Sequence, residues 1–221
     1  MGYRIGLFLI SFVLGSYLPA QAQLKDSDIK KGKVYVSGEN PGIRLLSSQD
    51  GEATTSVSFW RIIYSPVGIG HVLFIDSDIA GDGPSSDDVR AAYTDNDNLT
   101  DYLIREILNT FDESYTDHPY EKRAAKFESS GDTLTEWKET IKAEEHTIEL
   151  LWRDFHPSFQ LDTPVGGEAL GAFGVTSFFL PAKSADVIIN GKKAVGSTFP
   201  RMLGSMQSST AVLAFSETWV K

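Results

Sequence analysis

The sequence predicts a mainly β protein whose antiparallel strands close into a single barrel. Most of the chain alternates between apolar and polar residues, which is the period of a half-buried strand. Short stretches rich in glycine, proline and asparagine separate these segments, as turns between strands do. Only residues 98–111 show the three- and four-residue apolar spacing of an amphipathic helix. We therefore expect one barrel domain with one helix.

The first 22 residues have the pattern of a secretory signal peptide. Arg4 supplies a positive charge, residues 5–18 are mostly apolar, and Ala20-Gln21-Ala22 gives a small-x-small cleavage pattern. The apolar stretch is shorter than the roughly 20 residues of a membrane-spanning helix, although an uncleaved anchor is the alternative. We expect a secreted or periplasmic protein, free of the membrane after cleavage, with its single domain over residues 23–221.

The composition suits an exported globular domain and excludes several functions. Hydrophobic residues make up 41% and aromatic residues 11% of the chain, which is enough for a packed core. The formal charge of -10 argues against a nucleic-acid partner bound through a basic surface. The absence of cysteine excludes disulfides, thiolate catalysis and cysteine-ligated metals.

The predicted elements follow one another along the domain with a long loop over residues 38–51. In the predicted helix, Asn98 is the expected cap, and Asp101 lies in the first turn, where a carboxylate favours the exposed amides. Strands are also predicted over residues 33–37, 56–64, 71–76, 89–94, 123–128, 172–180 and 210–220, and the glycines and proline of residues 65–70 are typical of a hairpin loop between the second and third of these.

Two hairpins are predicted with a definite register. In residues 135–155, a turn at Glu144 and Glu145 makes the numbers of paired residues sum to 289. One face of this hairpin is then mostly apolar and the other polar, as a half-buried antiparallel sheet requires. Residues 186–195 form the second hairpin, with Asn190-Gly191 at its tip. The predicted pairs of the first hairpin are Trp137 with Trp152, Glu139 with Leu150, Ile141 with Ile148, Glu136 with Arg153, and Lys142 with Thr147.

Eight to ten strands in about 200 residues favour a closed barrel or a sandwich, because open sheet edges invite aggregation. In strand number, size and export the chain resembles the lipocalins and the related calycin barrels. The Gly-x-Trp signature that lipocalins carry near the first strand is absent, and Ser58-Phe59-Trp60 does not supply it.

Charged residues on apolar strand faces are the candidates for catalysis. Alternation places Glu139, Glu217 and Arg61 among core residues, where an unpaired charge costs several kcal/mol. One solution is a cluster of Arg61 with Glu139 or Glu217 inside the barrel, in which a carboxylate moves a proton and Arg61 or Tyr64 stabilises negative charge. There are three alternatives. The charges form a buried structural ion pair, or Glu217 lies at the barrel rim. In the third, Trp60 and Tyr64 point inward and Arg61 points outward.

Aromatic residues on the strands suggest a small, largely apolar ligand in the barrel interior, which is the leading hypothesis. Such rings equally fill a core. Among the histidines, His71 begins a strand, a position expected near a barrel mouth. An isomerase, cyclase or lyase on the same barrel is the alternative function. The candidate ligand-binding residues are Trp60, His71, Trp137, Trp152 and Phe215.

One acidic loop, residues 76–87, partly matches an EF-hand calcium loop. Its candidate ligands are Asp76, Asp78, Asp82 and Asp87, with a glycine at the sixth position. Ala80 replaces an expected ligand, and the last position is aspartate instead of glutamate. The third hypothesis for the function is therefore an extracellular module stabilised by calcium. The alternative is a solvated loop that binds no metal. No other cofactor is predicted.

Overall fold

The computed structural model describes residues 33–86, 88–111, 114–167 and 170–221. The predicted signal peptide therefore lies outside the described residues. Strand makes up 58% and helix 9% of this mainly β structure. In chain order the strands are β1 (Val34–Glu39), β2 (Gly42–Leu46), β3 (Ala53–Tyr64), β4 (Gly70–Ser77), β5 (Val89–Thr94), β6 (Glu121–Gly131), β7 (Glu136–Ala143), β8 (Thr147–Phe155), β9 (Phe159–Thr163), β10 (Gly174–Ile189), β11 (Lys192–Lys193), β12 (Pro200–Leu203), β13 (Met206–Ser209) and β14 (Ala211–Val220).

Nine strands close into a barrel in the order β14-β2-β3-β4-β5-β6-β7-β8-β10, and β10 returns to pair with β14. β1 continues the position of β2, because it also lies between β14 and β3. β9 pairs with β10 outside this closed path, and β12 with β13 forms a separate two-stranded sheet. The predicted barrel is thus present.

The barrel is mixed, so the expectation of antiparallel strands alone is wrong at one place. β5 and β6 run parallel, with Ala91 opposite Glu121 and Thr94 opposite Ala124. Parallel neighbours need a crossover of a dozen residues or more, and the helical segment between these strands supplies it. The helix that the sequence predicted therefore decides the direction of the next strand.

The predicted helix over residues 98–111 is a shorter α-helix followed by two short helical turns. Helix α1 is Asp97–Glu106, a 3-10 turn follows at Leu108–Thr110, and the short helix α2 is Ser114–Asp117. The cap is Asn96 and not Asn98, because the Asn96 side-chain oxygen accepts a hydrogen bond of 3.1 Å from the Leu99 amide. None of the helices in the described residues is long and apolar enough to span a membrane.

Both hairpins occur where the sequence predicted them. Every predicted pair of the first one is confirmed between β7 and β8, including Trp137 with Trp152 and Glu139 with Leu150. In the second, Ile189 faces Lys192 across Asn190-Gly191, and both turn residues have positive φ angles of 50° and 79°. Two positive φ values are the geometry of the hairpin turn that Asn-Gly favours.

Two apolar layers share the strands around β3. Phe59 and its neighbours in the interior layer fill the barrel, whereas Trp60 and Ile62 belong to an outer layer covered by α1. Both faces of β3 are therefore buried. Arg61 follows Phe59 on the inner face, so the alternative in which Trp60 points inward and Arg61 outward is wrong.

A β-bulge at Ser216 exchanges the faces of β14. Thr218 pairs with Thr176 and Phe215 with Phe178, so β14 has one more residue than β10 between these two pairs. Ser216 takes a positive φ of 52° at this point. Phe215 consequently packs on the interior layer, whereas Glu217 and Trp219 turn to the outer side.

Candidate functional site at the barrel mouth

A wide cavity opens where β3 and β5 end and β4 begins. Its volume is about 920 Å³, and it is open to solvent. The apolar residues that line it are Ile62, Ile63, Ile69, Ala124 and Ala125. The polar residues that line it include Arg61, His71, Thr94, Asp95 and Asp97.

Arg61 links two carboxylates at this mouth. Its Nη2 donates to Glu139 Oε1 at 2.7 Å, and its Nη1 donates to Glu39 Oε2 at 2.5 Å. Trp137 Nε1 also donates to Glu139 Oε1, at 2.8 Å. The sequence thus predicted the Arg61–Glu139 contact, and the structure brings the two residues together.

Glu139 is almost fully buried, with 1% of its surface exposed. Its second oxygen, Oε2, is buried and has no hydrogen-bond partner. Burial raises the pKa of Glu139, and the charge of Arg61 opposes this rise. The carboxyl group therefore retains its proton to a higher pH than an exposed glutamate does.

His71 and Asp95 form a second polar pair beside Arg61. Asp95 accepts two hydrogen bonds from His71, one from the backbone amide and one from the ring Nδ1, each at 2.7 Å. The ring stacks on Phe127 with 4.9 Å between the ring centroids. When a carboxylate holds the Nδ1 proton, a neutral imidazole presents Nε2 as a proton acceptor. Within the described part of the chain, no hydrogen bond occupies Nε2.

The barrel interior next to this cavity is filled by side chains. Phe59, Leu73 and Trp152 have no exposed surface, which leaves no water-sized space beside them. Trp152 Nε1 donates to the Gly42 carbonyl at 3.2 Å, as a structural ring does. The available space thus lies at the mouth and not around Trp152, where the sequence placed a ligand.

Three other aromatic residues were predicted to bind a ligand. Trp137 and Phe215 pack on the interior layer, and Trp60 belongs to the outer layer. Trp137 and Phe215 meet edge to face, with 5.6 Å between their centroids. Trp60 lies on the outer layer against Trp219 and donates from Nε1 to Ser58 Oγ at 2.9 Å. Trp60 therefore supports the packing of the outer layer.

Tyr64 and Glu217 do not join Arg61. Tyr64 is half exposed at the end of β3 and does not line the mouth cavity. Glu217 lies on the outer side because the bulge at Ser216 reverses the alternation on which its prediction rested. Its side chain accepts hydrogen bonds from Trp219 Nε1 at 2.6 Å and from Asn40 Nδ2 at 3.2 Å. Burial raises the pKa of Glu217 to about 7.

Glu217 lines a second, much smaller cavity on the outer side of the barrel. About 30 Å³ of free space lies there between apolar residues and Arg201. The sequence analysis missed Arg201, since it follows Pro200 in a stretch without clear alternation.

The acidic loop binds its own backbone. The Asp78 carboxylate accepts hydrogen bonds from the amides of Gly81, Asp82 and Gly83, and Asp76 forms an ion pair with Arg90. Asp87 lies outside the described residues. Among the residues that the structure describes, no three acidic or histidine side chains are grouped to hold a metal ion. Calcium binding stays a prediction.

Glu39, Asp95 and Phe127 are site residues that the sequence analysis did not select. Glu39 is the direct cross-strand partner of Arg61, and Asp95 follows β5, which pairs with the strand that carries His71. Phe127 lies within β6, and its ring reaches His71 from there. No protein-family model, curated protein or solved structure matches the chain.

Proposed function

We propose that the protein is an exported barrel that binds a small, largely apolar molecule at its mouth. The observation that carries this proposal is the open cavity of about 920 Å³, a size typical of small-molecule sites. Apolar side chains and a few polar groups line this cavity together, a combination that suits ligand recognition. Export rests on the signal-peptide pattern alone. A calycin-like barrel would also bind its ligand at one end of the barrel.

The charges at the mouth favour a neutral or cationic ligand over an anionic one. Both terminal nitrogens of Arg61 already donate to carboxylates, so this guanidinium offers little to an added anion. Asp95 and Asp97 add negative charge on the cavity wall. A ligand with an apolar body and a protonated amine would place its charge near these carboxylates.

Three molecules with the same ring and different charge test this preference. Phenylethylamine, phenylethanol and phenylacetate would be titrated into the protein, with binding followed by calorimetry and tryptophan fluorescence. We expect the amine to bind most tightly and phenylacetate most weakly. Tighter binding of phenylacetate would contradict the assignment of the ligand's charge.

A pair of variants tests the location. Ala124→Trp fills the cavity from an exposed position on its wall, whereas Leu134→Trp adds the same ring at a tip that is 85% exposed and does not line the cavity. We expect the first variant to weaken binding at least tenfold and the second to leave it unchanged. Equal affinity in both variants would place the ligand elsewhere.

A proton-transfer enzyme on the same site is the second candidate. It is favoured by the His71–Asp95 pair, because Asp95 orients the ring and leaves Nε2 for the substrate. The test is exchange of the acidic C–H protons of phenylacetone in D₂O, followed by NMR. Exchange that is faster with the protein than with buffer would support this function. The acceleration should be lost in His71→Gln and kept in His118→Gln. Exchange at the buffer rate would argue against it for this carbon acid.

A further inference from the structure

Arg201 is a partly buried cation that the proposed function does not use. It lies on β12 and lines the small outer cavity. Its Nε atom is buried without a hydrogen-bond partner, and within the described residues no carboxylate forms an ion pair with it. Burial and the neighbouring Arg44 guanidinium lower the pKa of Arg201 to about 10, so the group remains charged at neutral pH.

The cavity beside Arg201 is small, and its walls are mostly apolar. Its free space of about 30 Å³ holds roughly one or two atoms of water size. Glu217 also lines the cavity, but its carboxyl group is engaged by Trp219 and Asn40 and makes no ion pair with Arg201. The apolar walls are Leu161, Leu170, Val175, Phe179, Leu203 and Val212.

We propose that this cavity binds a small monovalent anion of the size of chloride, held by the Arg201 guanidinium. A buried N–H donor without a partner is unfavourable, and an anion in contact with Nε would offset that cost. The apolar walls reduce the competition from water and so strengthen the attraction. A bound anion would join β12 to the outer surface of the barrel, because Val212 on β14 lines the same cavity.

The first test compares thermal stability in chloride and in gluconate at constant ionic strength. Gluconate is too large for the cavity, so it controls for screening of the surface charges. Raising chloride from about 1 mM to about 200 mM should raise the Tm of the protein by on the order of 3 °C, because only the folded state binds the anion. Identical melting in the two salts would show that water alone fills the cavity and would overturn the proposal.

A pair of variants assigns the effect to one side chain. Arg201→Gln removes the guanidinium that lines the cavity, and Arg105→Gln removes an exposed one on α1. We expect the chloride-dependent rise in Tm to vanish in the first variant and to persist in the second. A rise that persists in both would exclude Arg201 as the anion ligand.

A crystallographic measurement on the unaltered protein does not depend on whether a variant folds. Bromide replaces chloride in its sites and gives an anomalous signal. We expect a bromide peak within about 3.5 Å of an Arg201 nitrogen, a normal distance for a hydrogen bond to this larger anion. An empty cavity at high bromide concentration would refute the site.

Discussion

Replacing Arg61 by methionine tests whether this guanidinium compensates the buried charge of Glu139. Methionine keeps an apolar stem in place but removes the hydrogen bonds of 2.7 Å to Glu139 and 2.5 Å to Glu39. Glu139 is 1% exposed and retains only the Trp137 donor, whereas Glu39 is 27% exposed and can be hydrated. Breaking a buried pair costs about 3–5 kcal/mol, and the partial exposure of Arg61 favours the lower limit. We therefore expect a loss of about 3 kcal/mol at pH 8.

The size of this loss should depend on pH, with a defined sign. Burial raises the pKa of Glu139 above the usual value of a glutamate, so the folded protein binds the proton more tightly than the unfolded chain does. Stability contributed by such a group is present at low pH and falls as the pH rises through the folded-state pKa. Without Arg61 that pKa rises further, and each added unit costs about 1.4 kcal/mol at high pH. The defect should therefore be small near pH 4 and large near pH 8.

Urea unfolding of the wild type and the variant between these two pH values measures this dependence. Arg61→Met combined with Glu139→Gln should recover most of the loss, because no buried charge is left. Arg105→Met, which breaks an exposed pair, is the matched control and should change stability by less than about 0.5 kcal/mol. A defect of the same size at both pH values, or one that Glu139→Gln does not rescue, would refute the charge-compensation argument.

Three further predictions concern residues away from the mouth. Because the pKa of Glu217 is raised to about 7, stability should fall by up to about 3 kcal/mol as the pH rises from 4.5 to 7, and Glu217→Gln should flatten this profile in chemical unfolding. At Ser216, whose φ is 52°, Ser216→Val should lower the free energy of unfolding by about 1–2 kcal/mol, and Ser216→Gly should change it by less than about 0.5 kcal/mol. Asp78→Ala removes the acceptor of three loop amides, so it should cost about 1–2 kcal/mol and speed proteolysis of residues 78–86.

Local patterning predicted the strands and hairpins because those features depend on neighbouring residues. The β7–β8 register followed from matching apolar faces around a short turn, and Asn190-Gly191 determined the tip of the second hairpin. The contact of Arg61 with Glu139 followed from the same alternation, since an inward charge needs an inward partner. Such inferences hold as long as a strand keeps its period of two.

The predictions that were wrong depend on single residues that interrupt this period or on distant connections. Ser216 adds one residue to β14, which moved Glu217 from the interior to the outer layer. Alternation alone does not reveal a bulge when the residue at the positive φ is not glycine. The parallel pairing of β5 and β6 arises from the crossover through α1, which strand patterns do not encode.

The outer layer explains why the aromatic residues suggested a cavity inside the barrel where side chains fill the space. A strand covered on both sides needs apolar residues at successive positions, and Phe59 with Trp60 on β3 meets that need. Rings on such a strand indicate burial on two sides, not a hollow barrel. Open space instead occurs beside Arg61 and His71, where the strand ends leave polar groups and apolar side chains exposed together. The place to search for a ligand in this fold is therefore the boundary of the packed layers.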